Sequence, residues 1–196
     1  MNKWILSSLC LLLSTQANSS VFNFTGEIEV HNEVIDIAFT LDNDAENVRV
    51  WTDSYQGGIN FDPITALWNA TDGRLIAEND DNSSINSATQ TNFDSGFTLP
   101  TLESGNYIFT IATYNNFAAG TTLAEGFVFD SEQPVNLADW CQPASSCNME
   151  PKWSVWLDGV DSAVAPIPEP STYALMLGGL GLVGFMAYRR KENQKN

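Results

Sequence analysis

The sequence predicts an all-β fold, an antiparallel β-sandwich, with an apolar segment at each end of the chain. Three observations carry this. Apolar and polar residues alternate over short runs through the middle of the chain, which is the period of a half-buried strand. Turn-forming clusters separate the runs: Gly57-Gly58, Asp72-Gly73, Asp80-Asp81-Asn82 and Ser104-Gly105-Asn106. No stretch before residue 171 sustains a 3.6-residue apolar stripe. About eight or nine short strands at this spacing suit a sandwich.

The elements follow in chain order. Residues 1–17 read as a signal peptide. Lys3 is the positive start, Trp4 to Leu13 is uncharged and apolar, and Thr15-Gln16-Ala17 places small residues where cleavage after Ala17 needs them. The apolar run is short for a membrane span. Cys10 would leave with this segment, and Leu9 before it is too large for a lipoprotein site.

Residues 18–163 form the exported domain. Strands are expected over Phe22 to Val30, Ile35 to Leu41, Val48 to Asp53, Ile64 to Asn69, Arg74 to Glu78, Phe93 to Leu99, Tyr107 to Thr113, Glu125 to Asp130 and Trp153 to Asp158. In the clearest of them Ile35, Ile37, Phe39 and Leu41 share one face, as do Tyr107, Phe109 and Ile111, and Trp153, Val155 and Leu157. Ile108 and Ala112 on the opposite face mark a more central strand. Residues 164–170 are a Pro-rich linker, 171–188 an uncharged membrane span and 189–196 a basic tail. Eighteen helical residues reach about 27 Å, close to the hydrocarbon thickness. Arg189, Arg190 and Lys191 should stay cytoplasmic, which leaves the preceding domain outside.

The linker reads Pro-Ile-Pro-Glu-Pro over 166–170, then comes the glycine-rich apolar run, then the basic end. That order resembles the PEP-CTERM sorting signal of Gram-negative bacteria. The resemblance implies recognition by an exosortase, a membrane-embedded cysteine protease that would cut near Pro168-Glu169-Pro170, with Arg189 and Arg190 as the basic stop. It also implies delivery to the cell surface or extracellular matrix in an exopolysaccharide or biofilm setting. A plain single-span anchor would explain the helix and the arginines but not the placement of the tripeptide.

The chain has 196 residues, 24 acids, 8 Lys plus Arg and a net charge of −16. Five of the cations (Lys3, Arg189, Arg190, Lys191 and Lys195) lie in the end segments, as do Glu169 and Glu192 among the acids. The domain therefore holds 22 acids against Arg49, Arg74 and Lys152, a net of −19. Such a surface excludes nucleic acid, whose binding needs clustered cations. With 43% hydrophobic residues, six Trp and eleven Phe, it is not a disordered acidic tail either. Cys141 and Cys147 are the two cysteines outside the signal segment. Export favours a disulfide between them, and metal binding by the pair is the alternative.

Gly57-Gly58-Ile59-Asn60-Phe61-Asp62-Pro63, then Asn79-Asp80-Asp81-Asn82, then Leu102-Glu103-Ser104-Gly105-Asn106-Tyr107 resembles the bacterial pre-peptidase C-terminal type of domain. That resemblance implies a jelly-roll-like sandwich, and some domains of this type bind calcium. Asp62, Asn79, Asp80, Asp81 and Asn82 are hard oxygen donors on two turns, so they are the candidate Ca²⁺ ligands. The simpler alternative is turn capping by Asp and Asn side chains. Asp42, Asn43 and Asp44 form a second oxygen-rich turn.

Catalysis finds little material. His31 is the single histidine and is expected in a surface turn. There is no Gly-x-Ser-x-Gly elbow. A carboxylate pair for glycoside hydrolysis cannot be picked from so many acids. Trp51 and Trp156 fall opposite the expected core faces of their strands and are the candidate carbohydrate platform. The reading that results is an exported, non-enzymatic surface or matrix protein of structural or adhesive role, with no obligatory cofactor. The alternatives are a polysaccharide- or calcium-binding module and a cryptic glycosidase.

Overall fold

Two antiparallel sheets face each other across one apolar core in the computed structural model, which describes residues 20–143 and 146–164. The signal segment 1–17, the linker with Pro168, Glu169 and Pro170, the 171–188 span and the tail with Arg189 and Arg190 lie outside the described residues. Among the described residues no helix is long and apolar enough to cross a membrane.

The strands are β1 Ser20–Glu27, β2 Val34–Leu41, β3 Ala45–Thr52, β4 Pro63–Asn69, β5 Leu75–Asn79, β6 Gly96–Leu102 and β7 Gly105–Thr113. After a long excursion come β8 Cys141–Gln142, β9 Ser146–Cys147, β10 Lys152–Val160 and β11 Ser162–Val164. One sheet has the order β1-β10-β3-β6, the other β11-β2-β7-β4-β5, and β8-β9 is a separate hairpin. The pairs β1 with β10, β2 with β7, β3 with β6 and β4 with β5 are nested, as if one long hairpin had been rolled up. This is the jelly-roll arrangement. All the strand pairs that build it are antiparallel.

The expected inward faces meet in the core. Ile37, Val48, Val50, Phe109, Ile111, Val155 and Leu157 are fully buried. Phe97 of β6 meets Phe109 of β7 edge-on across the sandwich, with centroids 6.4 Å apart. β4 is buried on both faces, because the excursion between β7 and β8 covers the outer side of its sheet. There Phe127 packs edge-on against Trp68 at 6.0 Å, and the Trp68 indole N–H donates to Thr110 Oγ1 at 3.0 Å.

The structure corrects several expectations. Glu125 to Asp130 is not a strand. The Glu125 carboxylate accepts from the Thr121 and Thr122 N–H groups, and Asp130 accepts from the Phe127 N–H. Side-chain acceptors so close in sequence compete with ladder pairing and wind the chain into a 3₁₀ turn over Leu123–Glu125 and a following turn. The sixth strand begins at Gly96 rather than Phe93. β11 reaches Val164, the residue where the linker was expected to start. His31 does lie in a turn but is only 1% exposed, packed between Phe129 and Trp140.

Candidate functional site

The register of one hairpin builds the site. Thr65 of β4 lies opposite Asn79 of β5 in an antiparallel pair, so the residues that leave β5 return beside those that enter β4. Asp80 and Asp81 therefore arrive next to Asp62. One carboxylate oxygen from each of the three lies within 4.8 Å of the other two.

Asp62 is the buried member, 7% exposed. Its backbone carbonyl accepts from the Tyr114 N–H at 2.9 Å and its own N–H donates to Gln142 Oε1 at 3.1 Å. The Gln142 amide donates to Asp62 Oδ2 at 3.4 Å. Oδ1 of Asp62 and Oδ1 of Asp80 are buried and accept no hydrogen bond. Burial, with Asp80 and Asp81 adding repulsion, pushes the Asp62 carboxyl up to about 7. Asp80 is raised by burial and then by Asp81, and Asp81 by burial. Among the described residues no cation relieves this crowding. Arg49 faces Asp158, Arg74 faces Asp72 and Lys152 faces Glu150.

Of the five candidate ligands, the structure brings three together. Asn79 and Asn82 have other engagements: both amides donate to the Gly96 carbonyl, at 3.0 and 3.4 Å, and Asn82 Oδ1 accepts from Ser84. Gly96 lies at φ 144°, and a Cβ there would come within 2.3 Å of the Val50 carbonyl oxygen. Only glycine lets β6 press this closely on β3. The second turn is engaged elsewhere, with Asp44 Oδ1 accepting from the Ser104 N–H at 2.8 Å.

Trp51, a candidate for the carbohydrate platform, offers no open ring face. It is 3% exposed, stacked on its cross-strand partner Trp156 at 6.1 Å and 9°, with the Arg49 guanidinium over its ring at 5.4 Å and Gly96 close against its Cα and Cβ. Trp156 is half-buried and its indole N–H donates to Asp53 Oδ2 at 2.8 Å. A cleft of about 590 Å³ opens instead beside Trp153, with Thr25, Glu27, Gln56, Asn60 and Lys152 in its lining. Sequence reasoning missed it because Trp153 lies on the inward face of its strand. Gly26 was the available signal, since a Cβ there would strike the Trp153 ring.

Cys141 and Cys147 are joined by a disulfide that closes the β8-β9 hairpin. The hairpin's Gln142 is the residue that holds Asp62. Both ring nitrogens of His31 are engaged: Nδ1 accepts from the Val135 N–H at 3.2 Å, so the N–H is on Nε2, which faces Glu132 Oε2 at 3.1 Å.

The remaining information lies at the C-terminal end. Residues 166–191 match the family described as the PEP-CTERM protein-sorting motif. The chain carries a PEP-CTERM sorting segment. This segment contains Pro168, Glu169, Pro170, Arg189 and Arg190. It indicates export, recognition by an exosortase, membrane anchoring and processing at the cell envelope. The PEP-CTERM match stops short of the sandwich, whose likeness to the pre-peptidase C-terminal type no comparison supports. No curated protein and no solved structure matches the chain.

Proposed function

We propose that this PEP-CTERM chain is a non-enzymatic surface or matrix protein. The exosortase would cut it near Pro168-Glu169-Pro170, and its jelly roll would serve a structural or adhesive role in the envelope or biofilm of a Gram-negative cell. The observation that carries the reading is the motif at 166–191, fused to an acidic, disulfide-closed sandwich. The nested strand order supports kinship with the pre-peptidase C-terminal type. Two further observations favour a non-catalytic role. The single histidine is buried, with its ring nitrogens on Glu132 and the Val135 N–H rather than on a serine. The three crowded carboxylates do not line the cleft beside Trp153.

The test is processing in the native host. Replacing Glu169 and, separately, deleting the exosortase should each leave the chain in the membrane fraction. Unchanged release in both strains would contradict the reading.

A second reading, a polysaccharide-binding module, draws on the cleft beside Trp153. Its size suits a small ligand, and its lining presents the exposed polar groups of Gln56 and Lys152 beside the buried Trp153. Migration in native gels cast with dextran or alginate tests it. Retardation abolished by Gln56→Ala would support it, and unaltered migration in both gels would count against it.

A further inference from the structure

We propose that Asp62, Asp80 and Asp81 together bind one Ca²⁺, which ties the open end of the β4-β5 hairpin to the disulfide-closed hairpin through Gln142. This inference is independent of the sorting reading, since it concerns the folded domain alone.

Three acids in one place are by themselves no site, because solvated acidic loops are common. Here two further facts point to a cation. Oδ1 of Asp62, on a side chain more than nine-tenths buried, and the buried Oδ1 of Asp80 accept no hydrogen bond. An uncompensated buried carboxylate oxygen is costly, and an ion supplies the missing partner. The second fact is the charge balance. Arg49, Arg74 and Lys152, the described Lys and Arg residues, each face another acid. Among the described residues the cluster therefore has no cationic partner, although it lies at the junction of three chain segments.

The donor set selects the ion class. It is all carboxylate oxygen, which suits hard divalent cations and not the nitrogen- or sulfur-seeking transition metals. Oxygens on opposite sides of one Ca²⁺ lie up to about 5 Å apart, and on Mg²⁺ only about 4 Å. The three oxygens lie within 4.8 Å of one another, inside the reach of one Ca²⁺. Asp81 is exposed and Asp80 half-buried, so water has access to complete the six to eight ligands that Ca²⁺ takes.

Such an ion would act as a clamp. Asp62 reports to Gln142 of the β8-β9 hairpin and to Tyr114 after β7, while Asp80 and Asp81 begin the loop that runs to β6. Segments far apart in sequence are thereby joined at one point. The clamp would tighten outside the cell, where calcium reaches the range in which weak extracellular sites fill.

The test uses the full-length chain purified in detergent and stripped with EGTA. Thermal unfolding is followed by tryptophan fluorescence near pH 7.5, with no added metal, with about 5 mM CaCl₂ and with about 5 mM MgCl₂. Calcium should raise the midpoint by several degrees and magnesium by less. Asp81→Asn, at an exposed position that cannot disturb the core, should weaken apparent calcium affinity at least tenfold, and Asp62→Asn should abolish the response. Glu46→Gln, an exposed acid on β3, should respond like the native chain and so control for general charge screening. No calcium shift in the native chain, or a full shift retained in either Asp81→Asn or Asp62→Asn, would overturn the proposal.

Discussion

Asp94 and Asp62 are both buried carboxylates near the same end of the sandwich, yet their surroundings are opposite. Asp94 is fully buried and accepts four hydrogen bonds: from the Thr91 N–H at 2.7 Å, Thr91 Oγ1 at 3.0 Å, the Tyr55 N–H at 3.0 Å and Thr52 Oγ1 at 3.2 Å. Burial still raises its carboxyl, but these donors oppose that push in part. Asp62 accepts one long bond, from Gln142 at 3.4 Å, and otherwise faces two more acids. The contrast separates a carboxylate that organises a loop from one that awaits a charge. Acid content alone does not mark a site; unmet oxygen does.

Substitution should separate the two by sign. Asp94→Asn turns one of the two acceptor oxygens into an NH2 donor, so either the Tyr55 or the Thr91 N–H is left facing a donor. It should cost about 3 kcal/mol, measured by urea unfolding. Removing the disulfide by replacing Cys141 and Cys147 with serine comes next. The loop is short, with a sequence separation of 6, and chain entropy sets the loss at about 2 kcal/mol. Asp62→Asn is the smaller effect and the opposite one. In metal-free protein it removes repulsion from Asp80 and Asp81, so the unfolding free energy should rise slightly, by about 1 kcal/mol or less. A large loss in that variant would place Asp62 with Asp94 as a loop organiser.

The pH dependence sharpens the same contrast. The folded Asp62 carboxyl titrates near 7, above its ordinary range near 4. Between those values the folded state holds a proton that the unfolded state has lost. Stability of the metal-free protein should therefore be higher on the acid side and fall as pH rises through 7. Asp80 and Asp81 shift in the same direction. Thermal midpoints between about pH 5 and 8 should decline in metal-free native protein and flatten in Asp62→Asn. An unchanged slope in the variant would show that other groups dominate.

Much of the sandwich was legible in the sequence because its strands bury one face. Ile35, Ile37, Phe39 and Leu41 alternate with polar residues, and all four are buried. Alternation is silent where both faces are covered or where side chains capture the backbone. Glu125 to Asp130 has strand-like residues, but Glu125 and Asp130 take the backbone N–H groups for themselves. The β8-β9 hairpin and β11, at two to three residues each, are too short to show a period. The candidate site was half legible. Its two turns could be named from hard oxygen donors, but the selection of Asp62, Asp80 and Asp81 over Asn79 and Asn82 depends on the Thr65 to Asn79 register and on the Gly96 carbonyl that takes both amides. Trp51 shows the same limit, since a residue opposite the core face is exposed only if nothing packs on it, and here Trp156 and Gly96 do.

The most direct measurement is anomalous diffraction from crystals of the protein grown in calcium chloride. The account predicts one difference peak bounded by an oxygen of Asp62, of Asp80 and of Asp81 at about 2.3–2.6 Å, with the four hydrogen bonds to Asp94 intact. A map with no peak among these three carboxylates, at calcium well above millimolar, would contradict it.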